Sequence, residues 1–578
     1  MKKSIRILIA VLIIAAMILP RAAELTKFTA ADEPFWLVVG ANYYYALTHG
    51  EFENTVYEYH PAVTTMWIGA AAMLAYFPEY RGVMNGYFQQ EKTSFDTYLV
   101  EHGKDPLALL WWARLIQLLL NVFLFIVAFF LLRYLLDERI ALVVLLLTSF
   151  APYLFGQSRM LNHETMVGLF SLIAILAMTA HLFRKPNAGL LFLSAGSAAL
   201  ANLTKSSAIV LLPVIAVMIF FWAVLQWREN IMSLRGRSFS SPEAISQHPP
   251  RNDIILLNSL KIFFSWVGLL LLVYFIAWPG MWVAPGKMLY EVYGNAFSYA
   301  FQGARLSITQ ELEPANFGLA SAGLSVMNIL TSVAWRTTPI TWLGLLFAII
   351  LLFSKNRKLI PVLAKYLISF LLLEAFACIA MFALVQGRDQ PHYVLASYYG
   401  FEFVAALGWA YALRWLARTF TWASSSLAQT ALLAMLLVMQ VLGLFYTTPY
   451  YYTYLNPIML ATTEVPNFFY GEKMEEAAAY LAEKPDAEHQ TALVYFGRSF
   501  SYYYPGRTLL FKPVLFDDKT QLIENLQQSD YLVVYTGLDE RLPLLKELTP
   551  EHVLDLNGRR YIEIYRVSDI PSSFFTSK

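Results

Sequence analysis

Apolar residues gather in blocks along the chain. They fall near 7–19, 107–132, 140–156, 165–183, 188–203, 206–226, 262–279, 340–353, 361–385, 393–413 and 428–446. A helix rises about 1.5 Å per residue, so a run of about 18–25 apolar residues crosses the hydrocarbon core of a bilayer. The pattern predicts about 11 transmembrane helices. The block at 62–77 is short and interrupted by Thr64 and Thr65, which predicts an interfacial or re-entrant helix. After residue 470 the blocks stop. Strands predicted over 492–496, 531–536 and 561–567 there alternate with helices over 472–484, 519–528 and 539–548, the order of a small α/β domain. No G-x-G-x-x-G follows any of these strands, so a nucleotide site is not indicated.

Composition agrees with a membrane protein. Of 578 residues, 58% are hydrophobic and 14% charged, whereas soluble domains carry about a quarter charged residues. A single soluble domain of this length is not expected, and collagenous, disordered, coiled-coil and disulfide-scaffold classes are excluded. The net charge of +1 gives no reason to expect a nucleic-acid partner. The single cysteine, Cys378, lies in an apolar block, so neither an intramolecular disulfide nor a cysteine-based metal site is expected.

Basic residues occupy alternate connections: Arg133 and Arg139, Arg184 and Lys185, Arg228 to Arg251, Lys355 to Lys358, and Arg414 and Arg418. The positive-inside rule puts these loops and the N-terminus in the cytoplasm. Lys2, Lys3 and Arg6 before the first run fit a signal anchor better than a cleaved signal peptide, because no small-residue cleavage site follows Pro20-Arg21. Three divisions follow. Residues 1–446 form a polytopic domain with a long outer loop at 21–106. Residues 447–470 form an interfacial linker rich in aromatics (Tyr450 to Tyr454), and 471–578 form an extracytoplasmic α/β domain.

The remaining charges collect on the outer side. The first outer loop holds Asp32-Glu33 before Pro34, then His60-Pro61. Adjacent carboxylates suit a general base if repulsion raises one pKa, although Asp as N-cap before Pro at the first helical position accounts for them equally. Later outer turns carry Arg159 with Glu164, Lys205, and Arg388-Asp389 with His392-Tyr393. Acids that activate a hydroxyl, beside cations that receive a phosphate, are the parts needed for group transfer from a lipid phosphate.

In order and topology these motifs resemble the protein O-mannosyltransferases and their bacterial relatives of the glycosyltransferase 39 type. The shared features are Asp32-Glu33, His60-Pro61, Arg159 with Glu164, the Lys205 turn and the Gln386–Tyr393 turn. Trp278-Pro279-Gly280-Met281-Trp282, Tyr452–Pro457 and Gly471-Glu472 join them, so that the resemblance covers about 30–481. It implies a GT-C fold in a bacterial cell membrane and an inverting transfer of mannose or a similar sugar. The donor is a polyprenyl-phosphate sugar, and the acceptor is a hydroxyl of a protein, lipid or glycan outside the membrane. By motif match Asp32 is the base and Glu33 its assistant, and Arg159, Lys205, Arg388 and His392 hold the donor phosphate. His60, Glu164 and Tyr393 fall on the substrate side.

The late motif departs from the family in carrying His392-Tyr393 where Arg-Tyr is usual. The first loop lacks a D-x-D pair, so no metal or other cofactor is expected, with Glu58 and His60 the only ligands to consider there. Two other classes remain. A flippase or transporter of lipid-linked sugars requires charges within the spans, where Arg114 and Glu374 are the candidates. A non-catalytic scaffold would lose its function on deletion of 471–578.

Overall fold

The computed structural model describes the chain apart from residues 1–2, 58–60, 89–91, 236–251, 303–318, 357–358, 385–389, 462–468, 539–540 and 577–578. His60 and Arg388, both expected at the site, lie outside the described residues, as do Glu58 and Asp389.

The chain is an α-helical bundle followed by a small α/β domain. The helices are α1 (Lys3–Ala22), α2 (Glu33–His49), α3 (Val63–Tyr76), α4 (Pro106–Leu135), α5 (Glu138–Ser149), α6 (Glu164–Phe183) and α7 (Ala188–Thr204). Then come α8 (Leu211–Arg235), α9 (Asn252–Ala277), α10 (Leu319–Arg336), α11 (Pro339–Phe353), α12 (Val362–Ala383), α13 (Leu395–Thr419) and α14 (Ser426–Thr447). Their starts are written in the sequence. Asp105 Oδ1 accepts from Leu107 N at 2.9 Å with Pro106 in the first turn, and Asp137 Oδ1 accepts from Arg139 N and Ile140 N, each at 3.0 Å. Such caps satisfy backbone donors that would otherwise be orphaned at a helix start.

Among the described residues, seven helices are long and apolar enough to cross a membrane, or eight if α10 and α11, bent by 117° at their junction, count as one span. The expected number was larger for three reasons. The block 140–156 breaks at Phe150-Ala151 before Pro152, α7 has only 17 residues, and α13 carries Glu402 and two arginines. The block 62–77 forms the 14-residue helix α3, which packs against α2. There Gly40 and Gly69 meet backbone to backbone: a Cβ on Gly40 would lie 2.7 Å from the Cα of Gly69. Small residues permit such close helix approach, and this contact sets the position of α2, whose first residues belong to the site.

In the C-terminal domain, helix α15 (Met474–Ala482) precedes strands β1 (Thr491–Val494) and β2 (Arg507–Leu510). Helix α16 (Lys519–Gln527) and strands β3 (Tyr531–Tyr535), β4 (His552–Leu556) and β5 (Arg559–Arg566) follow. The sheet order is β2-β1-β3-β5-β4, with β1 parallel to β2 and β3, and β5 antiparallel to β3 and β4. Two strands went unread in the sequence. Strand β2 is only four residues long, and the β4–β5 hairpin turns on Asn557-Gly558, both at positive φ (53° and 75°), a pair suited to tight hairpins. Of the helix expected over 539–548, the described residues 541–548 form only a short 3-10 turn at Pro543–Glu547.

The aromatic stretch at 450–454 is not a surface belt. Tyr450, Tyr452 and Tyr454 are buried. Tyr450 donates to Glu475 in the C-terminal domain, its ring lies 5.2 Å from Phe28, and the Tyr452 carbonyl accepts from Arg336 at 2.7 Å. Burial packs these rings into the core, and the Tyr450 hydroxyl finds a carboxylate there. The segment thus joins the loop before α2, the bundle and the C-terminal domain.

Candidate active site

Asp32 is the residue before α2, but its side chain does not cap the helix. It is exposed, and its Oδ2 accepts a hydrogen bond at 2.8 Å from the hydroxyl of Tyr470, at the entry to the C-terminal domain. The same junction is fixed by backbone: Ala31 N donates to Tyr470 O at 3.0 Å, and Tyr503 donates to Thr26 O at 3.0 Å. Gly471 follows with φ of +107°, where a Cβ would come within 2.7 Å of Thr29 O. Only glycine accepts that conformation in that space. Burial and the neighbouring Asp32 carboxylate hold the Tyr470 phenol well above its ordinary pKa, so it stays a proton donor.

Glu33 has a different place from Asp32. It is buried, and its carboxylate accepts from Leu161 N at 2.7 Å, from Ala30 N at 2.7 Å and from Arg114 Nε at 2.6 Å, with a second Arg114 contact completing a bidentate pair. Every side of this carboxylate is occupied by protein. Glu33, expected to assist Asp32, is placed as an anchor linking α2, α4 and the turn before α6. Arg114, noted in the sequence only as a charge within a span, is its counter-ion.

Arg159, expected to hold the donor phosphate, is placed against backbone carbonyls. Its Nε donates to Arg21 O at 2.9 Å, its terminal nitrogens contact the carbonyls of Ala23, Glu24 and Pro449, and its guanidinium lies 4.8 Å from the Tyr451 ring centre. Its fork clamps the chain after α1 rather than opening toward a donor phosphate. The turn that carries it is buried and braced from α4, where Gln117 Nε2 donates to Met160 O at 2.9 Å and to Asn162 O at 2.8 Å.

The remaining residues converge. Glu164 opens α6, where a carboxylate is favoured by the helix dipole. Its Oε1 lies 3.1 Å from Lys205 Nζ and 2.9 Å from His163 Nε2. Lys205 sits where α7 ends: the backbone turns extended at φ −151° before a 3-10 turn, and Nζ lies 4.8 Å from the Tyr393 ring centre. His392 packs on Tyr393 (4.4 Å between centroids) and Tyr470 (5.4 Å). Trp36, one turn beyond Asp32, packs on His163 at 4.9 Å. Burial pushes the His392 imidazole down to about 4, against the opposing pull of Glu164 and Asp32. Burial thus favours the neutral imidazole, which offers a hydrogen bond, over the charged form expected of a phosphate ligand.

Asp32, Glu164, Lys205, His392 and Tyr393 are thus brought together, with Tyr470 and His163 added by the fold. Among the described residues no group of three His, Cys, Asp or Glu side chains is arranged to hold a metal ion. Tyr470 lies 438 residues from Asp32, and nothing local marks it beyond its place before Gly471-Glu472. Tyr470→Phe is expected to lower the turnover of any reaction run through Asp32 about tenfold, the worth of a hydrogen bond to a charged group. Substrate KM should change little, and a shift in KM alone would show that Tyr470 binds substrate rather than positions Asp32.

Bundle and cluster define a polytopic membrane protein with an acid, a lysine and hydrogen-bonding rings at one end of its helices, roofed by the C-terminal domain. The model of the dolichyl-phosphate-mannose-protein mannosyltransferase family matches residues 108–237, the stretch that holds Arg114, Arg159, Glu164 and Lys205. No curated protein matches the chain. Among solved structures, it is similar to ArnT from Cupriavidus metallidurans bound to undecaprenyl phosphate, at 12% identity and a TM-score of 0.46, over 96% of this chain and 97% of that one. It is also similar to the Archaeoglobus fulgidus oligosaccharyltransferase in the apo form, at 12% identity and a TM-score of 0.43, over 92% of this chain and 69% of that one.

Proposed function

We propose that the protein is a GT-C glycosyltransferase that moves a sugar from a polyprenyl-phosphate donor to an acceptor hydroxyl at the membrane face carrying the C-terminal domain. The observation that carries this reading is the exposed Asp32 carboxylate, held by Tyr470, beside the Glu164–Lys205–His392 cluster. The match of residues 108–237 to the mannosyltransferase family model supports it. The alternating basic loops support an orientation with the N-terminus in the cytoplasm and the C-terminal domain outside. The sugar, mannose or a similar hexose or pentose, follows from the family resemblance alone.

In this mechanism the acceptor oxygen attacks the anomeric carbon from the face opposite the phosphate. The new glycosidic bond forms as the bond to the phosphate oxygen breaks, and configuration inverts. Asp32 takes the hydroxyl proton, and the electron pair leaves on the lipid phosphate. Lys205 has three donor hydrogens. With one directed to Glu164, two remain for the phosphate, and its charge stabilises the leaving group without protonating it. Neutral His392 adds a hydrogen bond.

The test uses membranes containing the full chain and a panel of polyprenyl-phosphate sugars, with release of polyprenyl phosphate as the readout. One of the panel is expected to be consumed. Lys205→Met should cut release about 10²–10³-fold, as for loss of an electrostatic partner of the transition state, while Lys205→Arg retains a larger share. Release by Lys205→Met at the full rate would remove Lys205 from the mechanism.

A further inference from the structure

A cavity of about 720 Å³ is lined by residues of both the bundle and the C-terminal domain. Its lower wall is the outer face of α14, where Met439, Leu442 and Tyr446 are exposed, and this face continues into the apolar surface that a spanning helix gives to lipid. Its lining includes three cations: Arg336, from the end of α10, and Arg559 and Arg560, from the start of β5 beside the hairpin turn. Arg336 is buried and donates to the Tyr452 carbonyl at 2.7 Å. Arg560 is 61% exposed and lies 3.1 Å from Glu563.

The acid on the inner wall, Glu472, is turned to other partners. It accepts from Tyr470 N at 2.7 Å and from the Tyr561 hydroxyl at 2.9 Å, and burial raises its pKa above the usual carboxylate value. Thr338, Thr447 and Thr453 also line the cavity, their hydroxyls donating to Gln440, Gly443 and Tyr450.

An apolar wall continuous with the lipid-facing surface of α14 and three arginines lining the same cavity match one class of ligand. Arginine forks bind phosphate oxygens well, and basic pockets at helix ends recognise phosphate-bearing headgroups. We propose that this cavity binds a phosphate-bearing membrane lipid other than the polyprenyl donor, its chains along α14 and its phosphate between Arg336, Arg559 and Arg560. None of the three arginines belongs to the Asp32 cluster, which the cavity adjoins through Glu472 and Tyr470, and the proposal does not depend on the transferase reading.

The test is lipid retention by the purified full chain in detergent, read by native mass spectrometry, with phosphatidic acid, diacylglycerol, inorganic phosphate and polyprenyl phosphate as probes. Phosphatidic acid should bind at least tenfold more tightly than diacylglycerol, which lacks the phosphate. Both R559E/R560E, on the exposed hairpin, and M439W, which fills the apolar half, should weaken it at least tenfold. R559E/R560E should leave polyprenyl phosphate retention unchanged. Equal retention of diacylglycerol, or wild-type retention by both variants, would overturn the proposal. So would full displacement by inorganic phosphate, which would mark an anion site only, or by polyprenyl phosphate, which would mark the donor's own path.

Discussion

Asp32→Asn is expected to lower sugar transfer about 10²–10⁴-fold, the usual worth of a positioned general base, with no loss of folded protein. The geometry separates the two effects. Asp32 is exposed, caps no helix, and makes its hydrogen bond to Tyr470 as an acceptor. An asparagine oxygen can still accept that bond, so the junction with the C-terminal domain keeps its contact, and a surface change of this kind costs within about 0.5 kcal/mol. What the amide cannot do is take the acceptor's proton. Release of polyprenyl phosphate and the melting temperature, measured on one preparation, check this together. Full transfer by the variant would sink the assignment of the base. Lost transfer with a lowered melting temperature would make Asp32 a structural residue instead.

Asp32 and Glu33 show where sequence reading holds and where it stops. Side by side in the chain, they suggest a like-charge pair. At the start of a helix, however, consecutive residues point about 100° apart, so neighbours in sequence do not face each other. Asp32 turns outward to Tyr470, and Glu33 turns inward to Arg114. The same limit applies to Arg159: its charge is legible, but the direction of its fork depends on carbonyls at Arg21, Ala23 and Pro449, which the fold alone brings near. Glu164 and Lys205 were legible because each ends or begins a helix at the same face, so topology alone places them close. The C-terminal domain was legible as α/β from the alternation of its elements, but its docking on the first loop through Tyr470 and Tyr503 was not, since that rests on contacts spanning more than four hundred residues. The buried tyrosines at 450–454 look like a membrane belt in sequence because a tyrosine suits both an interface and a core that satisfies its hydroxyl.

The largest effect on stability is expected at the buried pair of Glu33 and Arg114, both at most 2% exposed. Glu33→Leu strands the Arg114 guanidinium in the bundle and also leaves Leu161 N and Ala30 N without their acceptor. Removing one partner of a buried pair costs about 3–5 kcal/mol, a large share of the 5–15 kcal/mol that typically holds a protein folded. The yield of monodisperse protein should fall steeply and its melting temperature drop. Arg114→Leu should cost less, because Glu33 keeps its two backbone donors. The double variant E33L/R114L removes the stranded charge but still leaves two buried N–H groups, each worth about 1–3 kcal/mol, so it should melt above Glu33→Leu and below the wild type. Transfer per folded molecule separates this pair from Asp32. In Arg114→Leu it should stay within a fewfold of wild type, because the residue reaches the chemistry only by holding α2 in place. A Glu33→Leu protein that melts like the wild type would return Glu33 to the list of acids available to the reaction.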